Sequence, residues 1–397
     1  MIKTRLKNGI TVIFEKRPTN SIALEVQVKV GSVKENKKQA GMTHLIEHLL
    51  FEGTKTRTAH EISNSIESVG GEFNAATSHE RTFYYIHIPK QYFIRALDIM
   101  SDIIQNPLFS EKTIKKEKNV VLNEIKFVED DPKSYLWVLF LKTLFTKHKA
   151  KNPIHGNVKA IKKMSQTDIS SYYNKHYIPQ SMTISLVGNI NNPMPLIRKK
   201  FESMPRKSLK YEAVEKEPSL TKPRTKKINR DVEHVYMAVG YPTVPKGHPD
   251  SYSLDVIRSI LGRGQSSRLF DEIRTKRGIA YMVGAAHESS LSFGVFMSYI
   301  GTEKKNFTEA RKVLHDAFKL KDLTQQEVRD AKNYLLGNFI IYREDAKGCA
   351  DNNAEWSLLS KNPKDYIKNI KKVTISDVKR IAKKYFHKNY TEVIIEK

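Results

Sequence analysis

Two imidazoles and a carboxylate stand together in His44-Leu45-Ile46-Glu47-His48. On an α-helix, His44 and His48 fall one above the other on the same face, and Glu47 stands beside His48. Rings so placed can share one metal ion while the carboxylate reaches water on that ion, which is the chemistry of metal-assisted hydrolysis. A catalytic zinc takes three protein ligands and keeps a fourth position open, so a third donor is needed. The run from Glu117 to Glu124 offers two carboxylates seven residues apart, close to two helical turns and therefore on one face. Two His and one Glu form a common zinc set.

The order H-x-x-E-H inverts the H-E-x-x-H pattern of zincin metalloproteases. With the downstream carboxylates it makes the chain resemble the pitrilysin/insulinase metallopeptidases, the group that includes the mitochondrial processing peptidase. In that family the third zinc ligand is the second Glu of an E-x6-E pair some 76 residues after the motif, and 48 plus 76 is 124. Gly41-Met42-Thr43 before the motif and Leu50-Phe51-Glu52-Gly53-Thr54 after it match the family pattern as well. The resemblance implies that His44, His48 and Glu124 hold one Zn2+ per chain. It also makes Glu47 the general base and Glu117 a carboxylate that supports a ligand from behind.

Two further segments carry the resemblance. Gly70-Gly71-Glu72-Phe73-Asn74-Ala75-Ala76-Thr77 is similar to the family's G-G-x-x-N-A-x-T strand, which implies Asn74 and Ala75 as substrate-binding residues on a sheet edge. An unpaired edge suits an extended peptide because its N–H and C=O groups bind backbone without demanding a sequence. In the second half, Arg274 and Tyr281 match a catalytic Arg and Tyr seven residues apart in active relatives. A guanidinium and a phenol are suitable donors for a carbonyl oxygen that becomes an oxyanion.

The elements that must position these groups are duplicated. At an offset of 209 residues, Val26–Gly31 repeats as Val235–Gly240, and the helix start Ser165-Gln166-Thr167-Asp168 repeats as Thr374-Ile375-Ser376-Asp377. The same offset puts Ser253, Val256 and Ile257 where the first copy has His44, Glu47 and His48, so only the first half carries the metal set. Ile22, Leu24, Val26, Val28 and Val30 alternate with Ala23, Glu25, Gln27 and Lys29, which predicts a strand with one buried face. Helices are predicted over 90–105 and 252–261. The expected fold class is α+β, with two homologous domains, each an antiparallel sheet with helices packed on one face, the half-clamshell of such metallopeptidases. The expected domains are 1–204 with the metal site, a Pro-containing, highly charged linker at 205–229, and 230–397 carrying Arg274 and Tyr281.

Composition bounds the rest. One cysteine, Cys349, excludes an intrachain disulfide and a thiolate zinc site. The first residues run straight into a predicted strand, and no apolar run approaches the length of a membrane span, so the expectation is a cytoplasmic protein with no membrane partner. The 68 basic against 43 acidic residues, net +25, bring nucleic acid in as a rival partner. The lysines are spread through both halves, and no short block combines them with interleaved aromatics in a recognisable RNA-binding motif, so nucleic acid ranks below peptide as the partner. The resulting expectation is a zinc metalloendopeptidase acting on peptides or short unfolded polypeptides in an internal chamber. It would act as a homodimer, the alternative being a processing-type or partner subunit paired with a related chain.

Overall fold

The computed structural model describes residues 1–207 and 214–397. In chain order the first elements are β1 (Ile2–Arg5), β2 (Thr11–Lys16), β3 (Ser21–Val28), α1 (Met42–Phe51), α2 (Ala59–Glu67), β4 (Glu72–Thr77), β5 (Thr82–Pro89) and α3 (Phe93–Gln105). There follow α4 (Glu111–Asp130), α5 (Pro132–Leu144), α6 (Val158–Lys163), α7 (Gln166–His176), β6 (Met182–Gly188), α8 (Met194–Phe201), β7 (Arg224–Asn229), β8 (Val235–Thr243) and α9 (Pro249–Gly262). The chain ends with α10 (Arg268–Phe270), β9 (Met282–Ser289), β10 (Gly294–Thr302), α11 (Phe307–Ala317), α12 (Gln325–Glu344), α13 (Ala346–Leu358), α14 (Lys364–Lys372), α15 (Ile375–Tyr385) and β11 (Thr391–Glu396).

The chain divides into two compact units, and neither is contiguous in sequence. Unit 1 comprises Met1–Lys126, Asn152–Ala213 and Ile341–Asn362; unit 2 comprises Phe127–Lys151, Val214–Ile340 and Pro363–Lys397. The contiguous boundaries expected from sequence therefore need correction. Residues 127–151 belong with the second unit and 341–362 with the first. The expected linker 205–229 is also partly strand, because β7 pairs in parallel with β11 from Arg224 to Asn229. This strand reads as linker because it is an edge strand with one neighbour and charged side chains, as edge strands commonly are. Residues 208–213 of that linker lie outside the described residues.

Unit 1 holds a six-stranded sheet in the order β1-β2-β6-β3-β5-β4, antiparallel except for the parallel pair β2 and β6. Its main core lies under α1, α2, α3 and α7, where Leu24, Val26, Leu45, Ile46, Leu49, Tyr84 and Ile103 are all fully buried. β3 was expected to bury one face, yet both faces are buried. The second face is covered by α13, whose Ala346, Cys349 and Ala350 pack on Ala23 and Val187. Small side chains on both partners let that helix approach the sheet closely. Of the polar positions of β3, Gln27 is matched: it donates to the Ala354 carbonyl at 3.0 Å, and Arg81 donates to Gln27 at 2.9 Å and to Asp351 at 2.7 Å, whereas one carboxylate oxygen of the buried Glu25 has no hydrogen-bond partner.

Unit 2 repeats the plan with five strands in the order β7-β11-β8-β10-β9. Helices α9, α11 and α15 cover one face of this sheet. The other face receives α5, whose Leu136, Phe140 and Leu144 join Ala238, Val295, Val393 and Ile395 in a second core. The duplication seen in the sequence extends to helix starts. Ser165 and Asp168 of α7, and Thr374 and Asp377 of α15, each form a reciprocal capping box.

Candidate metal centre

α1 is an amphipathic helix. Leu45, Ile46, Leu49 and Leu50 are buried in the core, while His44, Glu47 and His48 share the half-buried opposite face. Its start is fixed by two features. Gly41 sits at φ +91°, and a Cβ there would meet the His155 carbonyl oxygen at 2.6 Å, so the turn requires glycine. The Glu35 carboxylate accepts the N–H groups of Gly41 and Thr43, both at 2.8 Å, satisfying donors that the helix itself leaves open.

α4 presents Glu117 and Glu124 on one face, as their spacing predicts. Glu117 is buried with Val121 and Ile125, whereas the Glu124 side chain stays 43% exposed. Donor atoms of His44, His48 and Glu124 lie within 4.8 Å of one another. His44 Nε2 is 3.5 Å from Glu124 Oε2, and His48 Nε2 is 3.7 Å from Glu124 Oε1. Two donors at about 2.0–2.1 Å on a tetrahedral ion stand roughly 3.4 Å apart, so the spacing suits one zinc and is long for a hydrogen bond.

The surroundings of the two rings suit metal binding as well. His48 Nδ1 donates to Glu117 Oε2 at 3.1 Å, and since a carboxylate only accepts, the lone pair of this ring is left on Nε2, toward Glu124. Lys116 holds the other oxygen of Glu117 at 3.3 Å and reaches Glu52 at 2.7 Å. Burial, then the charges of His48 and His155, press the His44 imidazole down to about 3, so it is neutral and able to donate a lone pair. His44 Nδ1 is buried without a hydrogen-bond partner. The donor set therefore fits zinc.

Glu47 lies beside the two histidines on α1, and one of its oxygens is held from β4. Thr77 donates its hydroxyl to Glu47 Oε2 at 2.6 Å. Burial raises the Glu47 carboxyl above its usual range; the Thr77 hydrogen bond and the His48 charge oppose this, and Glu124 adds to it. Thr77 stands in the segment that carried the family resemblance, but the sequence assigned it no role. Its partner lies thirty residues away, as the sequence separation of the pair shows.

β4 is an edge strand of its sheet, paired only with β5, and it places Asn74 outward. The Ala75 N–H donates to the side-chain oxygen of Asn74 at 2.8 Å, so this edge donor is engaged by its neighbour's exposed side chain.

Arg274 and Tyr281 lie in unit 2. Arg274 is exposed in a π-helical turn, with its guanidinium 5.2 Å from the centre of the Phe270 ring. The Tyr281 ring packs on His234 at 4.6 Å and on Tyr236 at 6.3 Å, with the Lys133 ammonium 5.5 Å from its centre. Burial and the hydrogen bond with Tyr236 push its phenol up, so it keeps its proton and remains a donor. In α9, Ser253, Val256 and Ile257 are buried. Among the described residues, His44, His48 and Glu124 form the one group of three or more metal-ligating side chains that converge.

The insulinase profile (peptidase family M16) matches residues 11–158, and the profile described as the M16 peptidase inactive domain matches residues 163–335. An uncharacterized zinc protease of Bacillus subtilis is 30% identical over 98% of this chain and 96% of its own length. One from Mycobacterium leprae is 31% identical over 99% of this chain and 91% of its own length. The crystal structure of a protease from Helicobacter pylori superposes with a TM-score of 0.92 at 26% identity, covering 100% of this chain and 99% of that one. The chain belongs to the M16 (insulinase) peptidase family. It has that family's two-domain fold, and its relatives are named as zinc proteases. No helix among the described residues is long and apolar enough to cross a membrane.

Proposed function

We propose that this protein is a zinc-dependent endopeptidase with one metal site per chain, made by His44, His48 and Glu124 and served by Glu47 as general base. The observation that carries the reading is the convergence of the three donors within 4.8 Å beside a half-buried carboxylate. Zinc, once held there, supplies Lewis acidity that makes water nucleophilic near neutral pH and polarises a carbonyl. The residues of the chain do the rest. Glu47 takes the proton of the attacking water on its carboxylate and passes it to the leaving amine, and Thr77 fixes the rotamer in which it does so. Glu117 orients His48 through Nδ1. The β4 edge offers an extended peptide backbone pairing at Asn74 and Ala75 once the Asn74 side chain releases the Ala75 N–H. Arg274 and Tyr281 are proposed as donors to the substrate carbonyl oxygen, in a homodimeric enzyme.

Mass spectrometry of products from a mixed peptide library, with and without a zinc chelator, tests the reading. Cleavage within peptides that stops with chelator and returns with zinc is expected. The Glu47→Gln variant should lose turnover and retain about one zinc per chain. Zinc lost in proportion to activity in that variant would overturn the assignment of Glu47 as base.

A further inference from the structure

Most of the excess of positive charge, 68 Lys and Arg against 43 Asp and Glu, is not used by the metal centre, and unit 1 gathers some of it in a groove. A cavity of about 890 Å³ lies between the loop 36–40, the start of α1, the segment 152–157 and the helices α6 and α7. Lys37, Lys38, Lys159 and Lys163 line it, and the one carboxylate among the lining residues is Asp168. That carboxylate is already committed, since it accepts both the N–H and the hydroxyl of Ser165 in the α7 capping box. Met164 is shared with an adjoining hollow of about 420 Å³ between α4 and α6, where Lys115, Lys118 and Lys162 meet a single carboxylate, Glu111. Lys118 is engaged by the carbonyls of Lys162 and Met164. Lys37, Lys159, Lys163, Lys115 and Lys162 form no ion pair among the described residues.

Like charges gathered around a concave surface raise a positive potential that only an anionic ligand relieves. The walls between the lysines decide which kind of anion. Ala40, Met42, Pro153, Ala160 and Met164 give the larger cavity an apolar floor, and no aromatic ring lines either hollow. Single-stranded nucleic acid is held by aromatic platforms on which its bases stack, and none is present here. A polypeptide that interleaves carboxylates with small apolar side chains meets both the charge and the floor. The groove also shares α4 with the metal centre. That helix presents Glu117 and Glu124 to the metal side and Lys115, Asn119 and Leu122 to the adjoining hollow.

We propose that this groove is an exosite for acidic polypeptide segments, which holds Asp- and Glu-rich substrates against the helix that carries a metal ligand. The proposal deepens the peptidase reading and rests on it for the ligand's being substrate, whereas binding itself is measurable without turnover.

The test uses the full chain and a short fluorescein-labelled peptide of alternating Glu and Ala, with binding followed by anisotropy. Lys37, Lys159 and Lys163 are exposed, so Lys37→Glu/Lys159→Glu/Lys163→Glu should fold, and a triple Lys→Gln variant serves in its place if it does not. Binding should weaken at least about tenfold in the charge-reversed protein, and it should weaken in the wild type between about 0.05 M and about 0.3 M salt. For cleavage of an acidic peptide KM should rise with kcat unchanged, while a neutral peptide is cut equally by both proteins. Equal affinity of wild type and variant for the labelled peptide would overturn the proposal. So would an oligothymidylate that binds more tightly than the peptide and is lost from the same variant, since the groove would then be a nucleic-acid site. If no peptide is cleaved under any condition, the peptidase reading fails, and the binding measurements still decide the groove.

Discussion

Replacing Thr77 by valine removes one hydroxyl and keeps shape and strand preference, so it isolates the hydrogen bond that β4 makes to Glu47. That bond is 2.6 Å from Thr77 Oγ1 to Glu47 Oε2, the length of a charge-assisted O–H···O contact. Hydrogen bonds to charged groups contribute about 1.5–3 kcal/mol. If that energy is spent holding the base in the rotamer from which it takes a proton, its loss lowers kcat about ten- to a hundredfold. Zinc content should not change, because among the described residues Thr77 forms no hydrogen bond with His44, His48 or Glu124. The assay is steady-state hydrolysis of a quenched fluorescent peptide, together with zinc per chain by atomic absorption, for wild type, Thr77→Val and Thr77→Ser. Serine restores the hydroxyl and should recover most of the rate. A Thr77→Val enzyme within about twofold of wild type at full zinc occupancy would refute the positioning role. Turnover and zinc falling together would show that the strand holds the metal set and not the base.

Three other outcomes are expected. Glu117→Gln should weaken zinc affinity or turnover by roughly 10- to 100-fold, and Glu124→Gln should reduce zinc binding further; competition with a chelating dye checks the order, which would be reversed if Glu117 were the ligand. Mixing Glu47→Gln chains with Tyr281→Phe chains, each nearly inactive alone, should restore activity if a homodimer shares its sites between subunits; no rise on mixing, once subunit exchange is shown by mass spectrometry, excludes sharing. The third concerns Glu15. Burial alone would raise its pKa, but hydrogen bonds from Asn353 and Arg17 and the charges of Arg343 and Arg17 bring it from 4.5 down to about 2. A carboxyl depressed in the folded state contributes stability that is complete above about 4.5 and lost as pH falls toward about 2. Glu15→Gln should therefore cost about 2 kcal/mol at neutral pH, allowing for solvent screening, and the difference from wild type should shrink in thermal melts below pH 4.5. A gap between the two that stays constant to pH 2 would refute it.

The five residues His44, Glu47, His48, Glu117 and Glu124 were legible in the sequence because each of the two sets lies on one helix. Spacing along a helix fixes which side chains share a face, so the i, i+4 histidines of α1 and the two-turn carboxylates of α4 needed no tertiary information. The capping boxes at Ser165 and Thr374, and with them the duplication, were legible for the same reason. The family pattern supplied what helix geometry could not, namely the expectation that Glu124 is the third ligand and Glu117 the supporting carboxylate.

What only the tertiary structure decided concerns groups brought together from remote positions. Thr77 reaches Glu47 because β4 lies at a sheet edge beside α1, and nothing in the local periodicity of either segment encodes that approach. The alternation in β3 predicted one wet face, and Glu25 and Gln27 looked like its solvent side. Both are buried, because α13 arrives from more than three hundred residues downstream to cover them, as the Gln27 bond to Ala354 shows. In the same way α5 reads as a continuation of the first domain, yet it completes the core of the second unit. A periodic pattern reports which face of an element is apolar. Which distant element covers that face is settled only by the packing of the whole chain.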